Sequence, residues 1–430
     1  GEGRAITVTG AGPALTVIDG NQLDRVLDVF RGIVVLEGMT LRNGRTTSGG
    51  GGGGVYANYT NLTLRNCTVT QNESARGGGV NPGYGDHTGL HDVISYNDAE
   101  SESGGIRFYF GTLTIDNSQI VSNTAGYHAG IIAMGDALIS NSAVEYNRAD
   151  GSGGGLLQSD PASRVAILDS SVNHNIAADN AGLSISANRA SLLRVRVNGN
   201  LAESGSGAGL GAGGSNVTVA DSEISGNQAP TGSSAGLSNS GVLTITGSTI
   251  VGNRAGLLGG GIENFSVGHL RIFSSTVATN HGGGVFNTGN LWLESSAVIS
   301  NVSTMSDGAG IYNAGGEGTM LTVISSTVRW NRGGRSGGGI ANHSGAWLHV
   351  IGSTVSDNEV TDPYSTGGGI YNAGEAAIDA STISGNVSRG RGGGGLANWA
   401  FPAQTIITNS TFSGNQALHN GQEFNTGEGG

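Results

Sequence analysis

The residues best equipped for chemistry that lie closest together in the sequence are Asp86, His87, His91 and Asp92. Imidazole and carboxylate groups are common ligands of transition metals, and the same groups transfer protons in acid–base catalysis. The alternative is a solvated loop, because the segment between Gly77 and Asn147 is the least regular part of the chain. These four residues are therefore one candidate site, and the sequence predicts no resident metal or other cofactor.

Two glycine-rich patterns match catalytic motifs by letter. The segment 232–236, Gly-Ser-Ser-Ala-Gly, fits GxSxG, and several glycine runs fit GxGxxG. Both motifs function where a strand turns into a helix, and no helical pattern follows either of them here. We therefore predict no catalytic residue.

Four aromatic residues could bind sugar rings. We expect Phe286, Tyr312 and Tyr371 on one outward face, with Trp292 nearby in sequence. Aromatic side chains bury large flat apolar surfaces, which suits stacking on a pyranose. The alternative is a patch for lateral packing against another molecule.

A row of threonines is expected on another outward face. It could bind glycans, carry O-linked sugars or order water as ice-binding solenoids do. The alternative is that threonine simply favours exposed strands. Its members are Thr249, Thr276, Thr327, Thr354, Thr382 and Thr411.

The aromatic residues and the threonines named above lie in copies of a repeated unit, whereas Asp86, His87, His91 and Asp92 lie in the least regular part of the chain. One copy is the segment 367–386, GGGIYNAGEAAIDASTISGN, which reads GGG-[ILV]-x-Asn, a short loop, an apolar triplet and S-T-[VI]-x-x-Asn. A fixed period of about 26 residues indicates a solenoid or an array. The asparagines that close successive units are Asn72, Asn97, Asn123, Asn147, Asn175, Asn200, Asn227, Asn253, Asn280, Asn301, Asn331, Asn358, Asn386 and Asn415.

The apolar pieces of each unit alternate with polar residues, as in Leu243-Thr244-Ile245, which is the periodicity of a strand. Glycine makes up 80 of 430 residues and would destabilise helices. Propeller blades need about 40 residues each. The pattern predicts an all-β parallel β-helix of about 16 coils with three short strands per coil, which would form a rod on the order of 75 Å long.

Two rows of asparagine should run along this β-helix. Stacked amides can hydrogen-bond from coil to coil, and a ligand-binding groove is the alternative. The closing asparagines are also expected to adopt the left-handed conformation that corners need. The other row follows the first strand and comprises Asn239, Asn264, Asn287, Asn313, Asn342, Asn372 and Asn398.

We expect a single domain over residues 1–430, with divergent opening coils at 1–44, regular repeats at 45–415 and a partial coil or tail at 416–430. The opening residues lack a signal-peptide pattern, which favours a mature or excised piece. Neither end shows a capping pattern, and exposed coil edges promote pairing. Two alternatives would account for ends without caps: the chain is a fragment of a longer one, or its ends are covered by head-to-tail self-association.

Composition excludes several classes of partner. Charged residues make up 12%, the net charge is −12 and every basic residue is arginine. The chain has no basic patch for nucleic acid and no apolar run that would span a membrane. Cys67, the single cysteine, is expected to be a small buried filler.

On these motifs the chain resembles the right-handed parallel β-helix repeat proteins of bacterial surfaces. It is similar to polymorphic outer-membrane-protein-like adhesins, whose repeats pair GGA-[ILV] with FxxN. Gly77-Gly78-Gly79-Val80 corresponds to the first motif, and Phe412-Ser413-Gly414-Asn415 matches the second. The resemblance covers nearly the whole chain and implies a surface or secreted protein in adhesion or scaffolding.

We therefore expect an extracellular structural or adhesive rod of a bacterial surface or matrix, with head-to-tail assembly into filaments and surface glycans as partners. The alternative is a glycan-binding module or a polysaccharide-degrading enzyme. Glycoside cleavage needs two carboxylates about 5–10 Å apart, whereas the predicted outward positions hold one acid, Glu263.

Overall fold

The computed structural model describes residues 5–47, 51–399 and 403–418. All of the regular secondary-structure elements in these ranges are β-strands. The chain divides into two compact units, unit 1 at Gly1–Val217 and unit 2 at Thr218–Gly430, and in each the strands pair in parallel with those of the next coil. The predicted all-β parallel β-helix is confirmed. The single-domain organisation stays a prediction, and the predicted tail lies outside the described residues beyond Leu418.

One coil of unit 2 illustrates how the sequence builds the solenoid. Leu321 and Val323 are buried, and each pairs with its equivalent one coil on, Leu348 and Val350. The apolar stacks between coils form the core. The coil adds a fourth, two-residue strand to the three that the sequence predicted. Its strands are Ile311–Asn313, Met320–Ile324, Thr327–Arg329 and Arg332–Gly333.

The strands of a coil are numbered first to fourth in chain order. In the opening coils of unit 1 one long strand, such as Leu27–Glu37 or Val55–Arg65, takes the place of the separate first and second strands, and the later coils are regular. The first and second strands are Ala5–Thr9, Leu27–Glu37, Val55–Arg65, Val80–Pro82, His87–Leu90, Ile106–Phe108, Thr112–Asp116, Ile131–Ala133, Asp136–Ser140, Leu156–Gln158, Arg164–Leu168, Leu183–Ile185, Arg189–Leu193 and Leu210–Ala212. The third strands are Val17–Asp19, Thr40–Arg42, Thr68–Thr70, Val93–Ser95, Gln119–Val121, Ala143–Glu145, Ser171–Asn173 and Arg196–Asn198. The fourth strands are Arg45–Thr46, Glu73–Arg76, Asp98–Glu102, Thr124–Tyr127, Arg148–Ala149, Ile176–Ala177 and Leu201–Ala202.

Unit 2 begins at Thr218, within the strand Val217–Ala220. Its other first and second strands are Leu237–Asn239, Val242–Thr246, Ile262–Asn264, His269–Phe273, Val285–Asn287, Asn290–Glu294, Ile340–Asn342, Trp347–Ile351, Ile370–Asn372, Glu375–Asp379, Leu396–Asn398 and Gln404–Thr408. The other third strands are Glu223–Ser225, Thr249–Val251, Thr276–Ala278, Ala297–Ile299, Thr354–Ser356, Thr382–Ser384 and Thr411–Ser413. The other fourth strands are Gln228–Ala229, Arg254–Ala255, Val302–Ser303, Glu359–Val360, Val387–Ser388 and Gln416–Ala417.

The left-handed residue at the end of the third strand is not the closing asparagine. It is the residue before it, such as Tyr96 at φ +53° or Trp330 at φ +56°. The prediction that the closing asparagines supply this conformation was wrong. The amide instead points into the core, and the preceding residue makes the turn and stays outside.

Candidate functional site

The closing asparagines form a hydrogen-bonded row within each unit. The Asn331 backbone N–H and its Nδ2 both donate to Oδ1 of Asn358, over 3.0 Å each. The same Nδ2 donates to the carbonyl oxygen of Val298 in the preceding coil, over 2.9 Å. These bonds satisfy polar groups that are fully buried, and buried groups without partners are costly.

This row explains the third glycine of the GGG motif. A Cβ on Gly339 would lie 2.9 Å from Nδ2 of Asn358 and 2.7 Å from the carbonyl oxygen of Gly369. Both contacts are closer than a side chain tolerates, so the backbone must be glycine for the coils to approach. The third glycine of the motif and the closing asparagine therefore pack directly against each other.

The asparagines after the first strand of unit 2 form a second row. Asn313 donates from Nδ2 to Oδ1 of Asn342 over 2.7 Å and accepts from Nδ2 of Asn287 over 2.7 Å. Six such bonds join the seven predicted residues. All are buried except Asn398, so the buried amides present no open face to a ligand.

A third row, which the sequence analysis missed, is formed by the serine before each third strand of unit 2. The Ser248 N–H donates to Oγ of Ser275 over 3.0 Å, and that hydroxyl donates to the carbonyl oxygen of Phe273 over 2.6 Å. The recurrent Ser-Thr pair was the available signal. Unit 1 places Thr16, Met39, Cys67, Asp92, Ser118, Ser142, Ser170 and Val195 at the equivalent positions.

Asp92 is a buried carboxyl at a serine position. Its Oδ1 accepts the N–H of Cys67 over 2.7 Å and its Oδ2 accepts the N–H of Leu90 over 3.0 Å. Burial raises the pKa of Asp92 to about 7, although both backbone bonds act to lower it. Ionisation of this group therefore opposes folding.

His87 occupies a leucine position in the core of the same coil. Its strand partners are Leu62 and Leu113, its side chain is fully buried and neither ring nitrogen makes a hydrogen bond of normal geometry. Burial lowers the pKa of His87 to about 4, and the nearby backbone of Leu62 opposes this shift.

Gly89 leaves room beside these two groups. It pairs with Leu64 and Ile115, so it replaces a bulky apolar residue. A Cβ at Gly89 would lie 3.2 Å from Oδ2 of Asp92 and 4.0 Å from Nε2 of His87. The imidazole and the carboxyl therefore border the same space inside the coil.

Cys67 is turned away from that space. Its thiol donates towards the carbonyl oxygens of Leu36 and Arg65, over 3.3 and 3.5 Å. Burial raises the pKa of the Cys67 thiol, which suppresses the reactive thiolate. The residue is packed as a small buried side chain.

The four residues of the predicted acid–base or metal cluster do not converge. His87 and Asp92 point into the core, whereas Asp86 and His91 are exposed. His91 takes the left-handed corner conformation at φ +57°, which interrupts the alternation. In the part of the chain that the structure describes, no three His, Cys, Asp or Glu residues are placed to hold a metal ion.

The predicted aromatic face is a half-buried row. Phe286 and Tyr312 have ring centroids 5.3 Å apart, and the ring of His343 lies 5.0 Å from Tyr312 and 5.9 Å from Tyr371. His343 thus fills the gap above Ala341, the residue that pairs between the two tyrosines. The rings contact one another, which leaves little free face for a sugar.

Asp307 anchors this row from a loop. Its Oδ2 lies 3.0 Å from Nε2 of His343. Burial raises the pKa of Tyr312 and of Tyr371, and the carboxylate of Asp307 raises both further. The tyrosines therefore stay neutral under ordinary conditions.

Trp292 lies apart, in a groove on the outward face of the second strands of unit 2. No ring contact joins it to the row of Phe286 among the described residues. Its Nε1 donates to Oε2 of Glu294 over 2.9 Å, and 39% of the residue is exposed. The groove encloses about 300 Å³ and is lined by Val242, His269, Leu270, Arg271, Asn290, Leu291, Trp292, Met320 and Thr322.

Unit 1 carries an aromatic stack that the sequence analysis did not single out. Tyr84 is stacked on Tyr59 and on Phe110, with centroids 4.9 Å apart in both pairs and nearly parallel rings, and Phe30 meets Tyr59 edge-on. Each of these four residues is about half exposed. Because the faces cover one another, mainly the ring edges meet solvent.

The threonine row lies in register on the third strands of unit 2. Thr249 pairs with Thr276, and Thr327, Thr354 and Thr382 pair in succession. Ala297 interrupts the row between Thr276 and Thr327.

No helix in the described ranges is long and apolar enough to cross a membrane. Comparison of the chain with protein-family models, with curated proteins and with solved structures found no match. What is shown is a parallel β-helix repeat protein, and the similarity to adhesins rests on the repeat motifs.

Proposed function

We propose that the protein is an extracellular structural and adhesive rod of a bacterial surface or matrix, of the adhesin type that its motifs resemble. The observation that supports this is the buried closing-asparagine row, which joins each coil to the next within a unit. Such a row makes the core repetitive and leaves the outward residues free to vary. Strands about 4.8 Å apart then hold those outward side chains in fixed arrays, which is what an adhesive surface requires.

Head-to-tail assembly is part of this proposal. Every residue of Ala5–Thr9 and of Thr411–Ser413 is exposed, including Ile6 and Phe412. Among the described residues, Ala5–Thr9 pairs only with Leu27–Glu37, and Thr411–Ser413 pairs only with Thr382–Ser384. Apolar side chains beside such strand edges favour pairing with a further coil, whether of this chain or of a second copy.

Electron microscopy of the complete native protein tests the assembly. We expect filaments whose axial repeat matches one molecule. A uniform population of single particles at high protein concentration would contradict assembly and leave the adhesive role to be tested by binding.

A second candidate function, a glycan-binding module, is favoured by the groove around Trp292. The indole is held by Glu294 and flanked by polar side chains on neighbouring strands. All four tryptophans of the chain lie in unit 2, so quenching of tryptophan fluorescence reports on this unit. Binding on a broad glycan array that Trp292→Thr abolishes would support the module, and the absence of any glycan ligand would reject it.

A further inference from the structure

We propose that the groove around Trp292 binds a sugar ring that carries a carboxylate, with the indole beneath the ring and Arg271 paired to the carboxylate. This inference rests on the glycan-binding function. The shared chemistry is that of an acidic pyranose, either a uronate within a polysaccharide or a terminal sialate.

The first step is the register of three strands. Arg271 pairs with Trp292 and Trp292 pairs with Thr322, so the three side chains form one outward line at intervals of about 4.8 Å. Thr322 is buried to 4% exposure although its position faces outward. A small side chain between large neighbours makes the floor of the groove.

The second step is the orientation of the indole. The bond from Nε1 to Glu294, two residues further along the same strand, directs the ring along the strand. With 39% of Trp292 exposed, part of the indole held in this way is open to solvent. That is the surface on which the apolar face of a pyranose packs.

The third step is charge. Arg271 is exposed and makes no ion pair with any described residue, whereas Glu294 already accepts the indole N–H. A guanidinium binds a carboxylate through two parallel hydrogen bonds. Nδ2 of Asn290 and Nδ1 of His269, 3.3 Å apart, add polar atoms within reach of sugar hydroxyls.

The fourth step is size. A groove of about 300 Å³ lies at the small end of ligand clefts, which range from about 300 to 1,000 Å³. It suits a short segment of a glycan and is open at the surface, so a longer chain can pass through it.

The experiment titrates the full chain with trigalacturonate and with sialyllactose at physiological salt. Each acid is paired with a neutral counterpart, the methyl ester of trigalacturonate and lactose. We expect tryptophan fluorescence and calorimetry to show at least about tenfold tighter binding of one acid than of its counterpart. The acid that binds identifies uronate or sialate as the source.

Two variants test the residues. Arg271→Thr and Trp292→Thr introduce the residue found at this position in adjacent coils, Thr244 and Thr322, so both are expected to fold. Arg271→Thr should weaken binding of the acid about tenfold or more and leave the neutral sugar unchanged. Arg164→Thr is the matched control, because Arg164 is exposed on a second strand of unit 1 and also lacks an ion pair among the described residues.

Each remaining outcome is decisive. Equal binding of acid and neutral sugar, with dependence on Trp292 alone, would overturn the acidic specificity and keep the glycan-binding function. Equal losses in Arg271→Thr and Arg164→Thr would mean diffuse charge attraction and would overturn the site. Absence of binding to every sugar would reject both the site and the module.

Discussion

The two units have the same coil architecture but bury different polar side chains in their cores. Unit 2 has three polar rows, formed by the closing asparagines, the first-strand asparagines and the serines. Unit 1 keeps the closing-asparagine row, but it places apolar residues such as Phe108 and Ala133 where unit 2 has first-strand asparagines, and it interrupts the serine row with Cys67 and Asp92. The closing row is thus the common requirement, and the other two can be replaced.

The difference matters because unit 1 buries groups that titrate. Where unit 2 has leucine and serine, one coil of unit 1 has His87 and Asp92. A buried ionisable group links folding to pH, whereas the amides and hydroxyls of the polar rows do not titrate in the physiological range. Among its described residues, unit 2 buries one carboxyl, Glu263, whose pKa is raised by burial and lowered by the hydrogen bond that the Ser234 hydroxyl donates to it. Because His87 and Asp92 carry the larger pKa shifts, we expect unit 1 to respond to pH more strongly than unit 2.

The largest effect is expected from Asn331→Leu in the closing row. The change removes the acceptor of the Asn301 backbone N–H and of its Nδ2. It also removes the Nδ2 donor to Asn358, while the backbone N–H of residue 331 is kept. We expect a loss of about 3 to 5 kcal/mol in the free energy of unfolding, measured by urea unfolding with tryptophan fluorescence. The outward change Thr327→Val should stay near wild type, and a loss below about 1 kcal/mol in Asn331→Leu would show that the row is dispensable.

Asp92→Ser should stabilise unit 1 by restoring the serine row. The folded pKa of Asp92 is raised from 3.8 to about 7, so its favourable contribution is present below about pH 4 and is lost as the pH rises to about 7. The gain from the serine variant should therefore be about 2 to 4 kcal/mol at pH 8 and smallest at pH 4. Hydrogen exchange of the segment 87–97 measures it.

The reciprocal change, Ser275→Asp, should transfer the same pH dependence to unit 2. Tryptophan fluorescence would then show unit 2 losing stability between about pH 4 and pH 7. Equal effects of either variant at pH 4 and pH 8 would contradict the assignment of this dependence to a buried carboxyl.

Asn313→Leu tests the row that only unit 2 has. The substitution removes the oxygen that accepts from Nδ2 of Asn287, and it removes the amide that donates to Oδ1 of Asn342. We expect a loss of about 1 to 3 kcal/mol, smaller than in the closing row because Asn287 keeps a bond to the carbonyl oxygen of Gly289. An unchanged melting temperature would mean that the row stabilises nothing.

His87→Leu should remove the second titrating group from unit 1. The folded pKa of His87 is lowered from 6.5 to about 4, so protonation favours the unfolded state and the wild type loses stability as the pH falls through that window. At pH 8 we expect a gain of about 1 to 2 kcal/mol from removing two unpaired ring nitrogens, and a larger gain near pH 4. Hydrogen exchange at both pH values checks this, and a gain that shrinks on acidification would refute it.

The smallest effect is expected at the surface of unit 1, from Tyr84→Thr. Tyr84 stacks on two rings but is 45% exposed, so its loss should destabilise unit 1 by about 0.5 to 1 kcal/mol. Tyr96→Asn, which removes an exposed ring without a described ring contact, is the control. A larger loss in the control, measured by thermal unfolding, would show that stacking is not what Tyr84 contributes.

Much of the fold follows from local pattern. Alternation such as Leu243-Thr244-Ile245 and the recurrence of GGG and Asn predicted strands, corners and coil length. The same repetition predicted that Asn313 would meet Asn287 and Asn342, because equivalent residues of a solenoid stack. Other features are harder to predict from the sequence. The recurrent Ser-Thr pair does not by itself reveal a hydrogen-bonded serine row, and the closeness of Asp86, His87, His91 and Asp92 in the sequence predicts one cluster that the structure does not form.

The sequence by itself determined that this chain coils into parallel strands, since a fixed period and strict alternation are local properties that neighbouring copies reinforce. Only the tertiary structure decided which side chains of a corner face inward. A single left-handed residue at His91 places Asp92 in the core and leaves His91 in solvent, and the loop carrying His343 fills the space above Ala341. Those outcomes depend on contacts with the adjacent coils, which no single repeat contains.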